Sequence, residues 1–279
     1  MEEVTLGSAG RAEGNDQLMP ADAPGDAPGD VIVKSVGRVF AVMELFAQRR
    51  AGLSATELER ALDYPKSSTL ALLKSMVTLG YLSYDRIGRT YFPTLRVHNL
   101  GHWICEADSH RALDELMQDA AAATGETVTL SCQNDLRMQF MAVVSGTNPL
   151  MLNFRAGMTG PLFQSNMGLV ALAQSDDAEI RRLAERMNRR AGRRGERVDD
   201  LPETMRRIAE IRRQGYGIGY RNYVDFVGVI SWPIVGPDNS RPLVLSIGGP
   251  VETIRNAEQE IIARMTKLLT EHHRTMRGR

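Results

Sequence analysis

Residues 63–82 read DYPKSSTLALLKSMVTLGYL, and their first third poses the problem of this chain. Asp63, Pro65, Ser67, Ser68 and Thr69 crowd the start of what reads as a short amphipathic helix. One such residue is enough to cap a helix, because one side-chain oxygen satisfies an orphan amide. At about 100° per residue, Leu72, Leu73, Met76 and the aliphatic part of Thr69 share one side. Ser67, Ala71, Lys74, Ser75 and Thr78 share the other. That second face is small, rich in hydroxyls and carries one cation, so it can approach another surface closely. A helix start with free amides favours phosphate, and small side chains let a helix sink into a DNA major groove.

The flanking sequence agrees. Upstream, VKSVGRVFAVMELFAQ places Val36, Val39, Phe40, Met43 and Phe46 on one stripe, which predicts a helix. GLSATELERALDY follows, with Ser54 and Glu57 in an S-x-x-E capping box and Leu58, Ala61 and Leu62 facing inward. Downstream, in YLSYDRIGRTYFPT, two strand-like stretches flank Asp85-Arg86-Ile87-Gly88-Arg89, a hairpin with two arginines at its tip. Three helices followed by a basic hairpin make a winged helix-turn-helix. A plain three-helix bundle with a solvated face is the bland alternative, but cap, tight turn, hydroxyl cluster and basic wing all point to double-stranded DNA. The DNA-binding candidates are Lys66, Ser67, Ser68, Thr69, Ala71, Lys74 and Ser75 on the third helix, and Arg86 and Arg89 on the wing. Ser54 and Thr56 join them at the start of the second helix.

The chain's charge is arranged to match. Over 279 residues the formal net charge is zero. Residues 1–30 nevertheless sum to −6 and residues 31–101 to +5, so a basic module stands behind an acidic stretch. The first thirty residues are rich in Gly, Ala, Pro and Asp without apolar periodicity, and we expect them to be disordered. They contain no basic segment followed by an apolar core, so they are not read as a signal peptide. No run approaches the ~18 apolar residues of a membrane span. Cys105 and Cys132 form neither a disulfide framework nor a metal spacing, and a cytoplasmic protein is expected. The expected divisions are the tail at 1–30, the DNA-binding domain at 31–94, a linker helix at 95–106 and a second domain at 107–275.

The linker carries Leu95, Leu100 and Ile104 among its apolar positions, and Trp103, which is read as core or dimer interface. Beyond it, an amphipathic helix with Asp108 or Ser109 as its cap ends at Gly125. ETVTLSCQN, RMQFMAVVSG and PLMLNFRAG then read as strands, NMGLVALAQ, DDAEIRRLAERM and LPETMRRIAEIRRQG as helices. YGIGYRNYV, GVISWPIVG and RPLVLSIGGP return to strands before a long closing helix. Two strand blocks separated by helices give an α+β domain with an antiparallel sheet. The five histidines, at 98, 102, 110, 272 and 273, form no metal or triad spacing, and no nucleophile stands beside a base. Arg189, Arg190, Arg193, Arg194 and Arg197 read as a solvated loop. No cofactor is expected. Two rivals remain: a small-molecule enzyme with a helical N-terminal domain, and an adaptor whose winged helix binds protein.

KSVGRVFAVMELF, GLSATELERALDYPKSSTLALLKSMVTLGYL and RTYFPTLRVHNLG resemble the DNA-binding half of IclR-type transcriptional regulators, and the resemblance runs from about Val33 to His272. The family's Pro-Lys-Ser-Thr at the recognition-helix start is matched by Pro65, Lys66, Ser67 and Ser68, while its frequent Arg is Ala71 here. The resemblance implies a winged head, a linker helix and an effector-binding domain similar to GAF and PAS folds. It implies self-association to a dimer or tetramer on a pseudo-palindromic operator, with helix one and Trp103 as glue. It also implies an effector between the sheet and a helix entrance near P-L-H-x-(S/T)-x-x-G-K. That motif stands here as Pro161 to Leu169, with Phe163 for the His and Leu169 for the Lys. The family's E-x-x-x-G-x-x-C stretch falls at Tyr223 to Val229, with Phe226 and Val229 for its Gly and Cys. Its S-x-S is Ser246-Ile247-Gly248. The ligand candidates are therefore the amides of Asn166 and Met167, with Ser246 and Gly248. An apolar wall of Leu152, Phe154, Met158, Phe226, Val227 and Val229 faces them, and Tyr220 lies near the ligand's polar end. A bulkier, more apolar wall argues for an aromatic or similarly bulky organic acid.

Overall fold

The computed structural model describes residues 33–101, 107–148, 154–191, 198, 200–222, 224–234 and 242–277. The acidic tail, Trp103, Cys105, Leu152 and the arginines at 193, 194 and 197 lie outside the described residues. The described residues divide into two compact units, one from residues up to 118 together with those from 268 on, the other from residues 119–234 and 242–267.

In the first, α1 (Lys34–Arg49) ends at Arg50, whose left-handed backbone (φ 50°) lets its N–H bond Phe46 O. The inward face of α1 is Val42, Leu45 and Phe46, with Val39 and Met43 packed alongside. Val36 and Phe40, on the expected apolar stripe, are 49% and 62% exposed. The other three residues of that stripe, Val39, Met43 and Phe46, are in or against the core, so the stripe overlaps the packed face and is rotated from its centre at Val42 and Leu45. A short strand that sequence reading missed, β1 (Leu53–Ser54), leads into α2 (Ala55–Leu62). The capping box is formed: Glu57 N–H donates to Ser54 Oγ at 3.3 Å, and Ser54 N–H donates to Glu57 Oε2 at 2.7 Å. The Ser54 backbone bond, and then one from the Ser54 hydroxyl to the same oxygen at 2.7 Å, hold the Glu57 carboxyl below its usual range. Leu58 is fully buried, whereas Ala61 faces solvent. Asp63 turns left-handed (φ 52°) to end α2, and α3 spans Lys66–Thr78. The wing follows as β2 (Leu82–Asp85) and β3 (Thr90–Pro93), in a three-stranded sheet of order β1-β3-β2. Leu58, Leu73, Met76, Leu82 and Tyr91 close the core with α1. Helix α4 (Leu95–Gly101) is tied back by Thr94 Oγ1, which donates to Gly80 O at 2.6 Å, and by Arg96 stacked 4.9 Å over Tyr81.

The second unit carries a six-stranded antiparallel sheet in which β6 (Thr159–Pro161), β5 (Arg137–Val144), β4 (Thr127–Asn134), β9 (Leu243–Pro250), β8 (Val227–Ile234) and β7 (Gly217–Tyr220) lie in that order. Helix α5 (Ala107–Thr124) is already under way at Ala107, ahead of the expected cap, and ends at Gly125 (φ 72°). Of the strand expected over 149–157, the described residues 154–157 are turn and coil, and residues 149–153 lie outside the described residues; β6 pairs with β5 from Thr159. Helices α6 (Asn166–Ala173), α7 (Asp177–Ala191) and α8 (Leu201–Gln214) carry much of the largest core, with Leu169, Leu172, Ile180 and Ile208 inside. The closing helix is two, α9 (Val251–Asn256) and α10 (Glu258–Arg277), broken at Ala257. Two ties set the layer. Asp135, in the β4–β5 turn, takes Arg186 and Arg190 of α7, and these bonds outweigh the effect of burial to hold its carboxyl low. Arg212 of α8 bonds Ala173 O, Ser175 O and Asp177 around the end of α6. Among the described residues no helix is long and apolar enough to cross a membrane.

Candidate functional site

The start of α3 has no side-chain cap; Pro65 stands in the cap position. The crowd of hydroxyls is not capping. Ser68 and Thr69 both donate to Pro65 O, at 2.8 and 3.1 Å, and Ser75 donates to Ala71 O at 2.9 Å. Thr69 is 1% exposed, which removes it from the DNA-facing set. Its methyl belongs to the core, and its hydroxyl is satisfied within the first turn. Lys66, Ser67, Ala71, Lys74 and Ser75 are exposed and Ser68 half-buried. The amides of the first turn lack a side-chain partner, so the helix start presents donors and the positive end of its dipole outward. Of the two candidates on α2, Thr56 is exposed, while the hydroxyl of Ser54 is committed to the capping box.

Asp85 builds the wing tip. Its carboxylate accepts from Ile87 N–H at 2.9 Å and Gly88 N–H at 3.1 Å, folding the turn that carries Arg86 and Arg89. Arg89 takes a left-handed backbone (φ 52°), and Ile87 stands 97% exposed between the arginines. The tip therefore offers two cations and one apolar side chain outward.

The second unit contains a cavity of about 80 Å³ beneath the start of α6. Its floor is two neighbouring rungs of the sheet. Thr129, Ser246, Ser231 and Gly217 are cross-strand neighbours on one rung; Thr127, Gly248, Val229 and Gly219 are neighbours on the next. Of these, Thr129, Ser246, Gly248, Val229 and Gly219 line the cavity, and the glycines at 219 and 248 leave room where side chains would otherwise stand. Phe140, Phe154, Met167, Val224 and Val227 supply apolar wall, the two phenylalanine rings lying 5.2 Å apart. None of the described residues lining it is charged.

Polar groups converge at one end. Ser165 caps α6, its Oγ accepting from Gly168 N–H at 3.1 Å and donating to Pro161 O at 2.6 Å. Gly168 is required there, since a Cβ would lie 1.9 Å from Leu162 O. Asn166 is buried; its Nδ2 donates to Gly217 O and Ser231 Oγ, both at 2.9 Å. Ser231 Oγ lies 2.8 Å from Ser246 Oγ, which reaches the cavity. Asn166 Oδ1 is a buried acceptor without a partner among the described residues.

Of the ligand candidates, Phe154, Asn166, Met167, Val227, Val229, Ser246 and Gly248 meet on this cavity. Three described candidates stand elsewhere. Met158 packs on the core, with Phe140 N–H donating to its carbonyl at 2.9 Å. Phe226 points to solvent. Tyr220 donates its hydroxyl to Glu258 with Arg255 4.9 Å over its ring, and burial and then that bond push the phenol up. Phe163 and Leu169, which replace the motif's His and Lys, are both core residues. Thr129, Phe140, Thr159, Gly219, Asn222 and Val224 were missed. Thr129, Phe140, Thr159 and Gly219 come in through cross-strand register, which a single sequence does not display, and Asn222 and Val224 lie between β7 and β8.

Comparison with known proteins agrees with both halves. The IclR helix-turn-helix domain model matches residues 35–86, and the Bacterial transcriptional regulator IclR C-terminal model matches residues 103–274. The chain is 26% identical over 231 residues to the HTH-type transcriptional regulator KdgR of Escherichia coli, covering 82% of this chain and 86% of that one. It is 23% identical to the Pca regulon regulatory protein of Pseudomonas putida, covering 81% and 77%. Its fold is similar to the crystal structure of an IclR transcriptional regulator from Alicyclobacillus acidocaldarius, with a TM-score of 0.54 at 24% identity over 88% of this chain and 98% of that one.

Proposed function

The chain belongs to the IclR family of bacterial transcriptional regulators, and from that premise we propose that a small organic acid with an apolar, aromatic body controls its binding to operator DNA. On the DNA side, the observation that carries the reading is the uncapped start of α3 beside an exposed face of Ser67, Ala71 and Lys74. Phosphate meets the amides and Lys66, Lys74 and Ser67 reach base edges, and the wing adds Arg86 and Arg89. One such helix reads only a few base pairs, so two heads act on a pseudo-palindromic site. The exposed Val36 and Phe40 of α1 suit contact between copies in a dimer or tetramer, working in the cytoplasm.

On the ligand side, what supports an acid with an apolar body is the apolar wall facing the amides of Asn166 and Met167 and the Ser246 hydroxyl. A helix start favours an anion, and apolar burial contributes about 25 cal/mol per Å². The enclosed space is about 80 Å³. That is roughly half the ~150 Å³ that holds a benzene ring, so an aromatic body extends from the floor toward the open side at Asn222. Binding re-poses the heads only in proportion to its differential affinity for the two states. The test is operator binding by fluorescence anisotropy, on the DNA upstream of the chain's own gene, with and without aromatic acids found by thermal shift. Val229→Asp should abolish the ligand response and leave ligand-free operator binding intact. Response to short aliphatic acids alone would sink the aromatic reading.

A further inference from the structure

A carboxylate in this cavity meets no cation among the described lining residues, yet one stands a single side chain away. Asn222 lines the cavity on its exposed side. With its amide turned so that both ends are satisfied, Nδ2 donates to Tyr220 O at 3.2 Å and Oδ1 accepts from an Arg207 guanidinium N–H at 3.0 Å. Arg207 rises from α8, half-buried, in a groove shared with Glu203, Arg206 and Glu210. Its neighbours are matched: Arg206 pairs with Glu203 and Arg213 with Glu210. Arg207 has no carboxylate partner among the described residues; its described partner is the neutral Asn222 amide.

The position of that amide matters. The place a Cβ would occupy on Gly219 lies 2.7 Å from the Asn222 amide and 2.9 Å from Asn166 Cβ. Asn222 and the start of α6 therefore face the same small space, left open because residue 219 has no side chain. An acid whose carboxylate approaches the Asn166 and Met167 amides comes within reach of the group that now holds Arg207.

We propose that Arg207 is the ligand site's cation, held in reserve by Asn222 and transferred to the ligand's carboxylate when an acid binds. The proposal rests on the acid-binding reading above and deepens it. A guanidinium meeting a carboxylate gains the attraction of opposite charges and can form two parallel bonds, neither of which a neutral amide oxygen offers. The exchange therefore runs toward the ligand, and Asn222 is released to solvent, to which it is already exposed. The core position where the family's motif carries Lys is Leu169, so the charge that recognises the anion reaches in from α8 instead of from α6.

Calorimetry on the full chain tests this with benzoate and phenylacetate beside their neutral amides, benzamide and phenylacetamide. Three proteins are compared: the unaltered chain, Arg207→Met and Asn222→Ala, with thermal unfolding as a check on folding. Arg207→Met should weaken the acids about tenfold or more, the loss expected for a charged hydrogen bond, and leave the amides within about twofold of the unaltered chain. Asn222→Ala should hold or improve acid affinity, since it removes the competitor. Equal losses for acids and amides in Arg207→Met overturn the proposal, because Arg207 is then a packing residue. So does a loss in Asn222→Ala as large as in Arg207→Met, because Arg207 then acts only by positioning Asn222. Unchanged acid affinity in Arg207→Met overturns the proposal alone and leaves the acid site standing. Failure of both acids to bind the unaltered chain, with the amides binding, overturns the acid reading and this inference with it.

Discussion

Replacing Arg86 and Arg89 with alanine removes both cations of the wing tip while leaving its scaffold in place. Both side chains are exposed, and Asp85, the acid beside them in sequence, commits its carboxylate to the amides of Ile87 and Gly88. The turn should survive the double substitution, and the unfolding midpoint should stay where it is. The DNA effect is calculable. Each phosphate contact contributes about 0.9 to the slope of log affinity against log salt. Two arginines on each of two heads make about four contacts, so the slope should flatten by about 3.6. Between about 50 and 200 mM salt, a slope difference of that size shrinks the unaltered protein's advantage about 150-fold. If one arginine per head meets phosphate, the slope difference is about 1.8 and the change about twelvefold. Fluorescence anisotropy at stepped salt, on operator and on a scrambled duplex of equal length, reads both. Phosphate carries no sequence, so the two duplexes should show the same flattening. Parallel salt lines for the variant and the unaltered protein would refute the reasoning, as would a loss confined to the operator.

Lys74→Ala should do the reverse, weakening the operator by about 1–3 kcal/mol and the scrambled duplex far less; equal losses would make Lys74 a phosphate contact. Ser165→Ala removes the α6 cap and leaves both Gly168 N–H and Pro161 O unpaired in buried surroundings, so urea unfolding should show a loss of about 2–4 kcal/mol. A loss below about 0.5 kcal/mol would mean that water replaces the hydroxyl. Val36→Ser with Phe40→Ser should shift sedimentation toward monomer at micromolar concentration without lowering the unfolding midpoint, because both side chains are already exposed. His272 is buried, and burial and then neighbouring His273 hold its pKa below the usual 6.5. The unfolded chain therefore binds the proton first as pH falls, and stability tied to this group is complete above about 6.5 and lost below it, down to the folded value. His272→Gln should lose less stability than the unaltered chain between pH 7.5 and 5.5; identical losses would place the acid sensitivity elsewhere.

The winged head was legible because its determinants are local. A capping box needs residues three apart, a hairpin tip needs a run of five, and both formed where the sequence put them. What failed there was tertiary. Val36, Val39, Phe40, Met43 and Phe46 share one stripe, but packing on α2, α3 and the small sheet centred the core on Val42, Leu45 and Phe46, kept Val39 and Met43 at its edge and left Val36 and Phe40 outside. Thr69 shows the same limit on a smaller scale. Its hydroxyl reads as a DNA contact in sequence, yet Pro65 O lies close enough to take it and the methyl is wanted inside.

The ligand cavity was half legible for a different reason. The helix start at Asn166 and the hydroxyl at Ser246 belong to short motifs, and both reach the cavity. Its remaining floor exists only once β4, β8 and β9 are in register. Thr129 is a neighbour of Ser246, and Gly219 of Val229, through pairing across gaps of 117 and 10 residues that no periodicity encodes. The misplaced candidates follow from the same cause. Tyr220 ends β7 and Phe226 precedes β8, but Tyr220 bonds Glu258 and Phe226 faces solvent. With Phe163 and Leu169 withdrawn into the core, the wall keeps its shape and loses the motif's two ionisable groups. Under the acid reading proposed above, an anion there would rest on helix amides, hydroxyls and a cation from outside the motif. Arg207, unremarked in the sequence and separated from the cavity by the Asn222 amide, is the cation our proposal assigns to that charge.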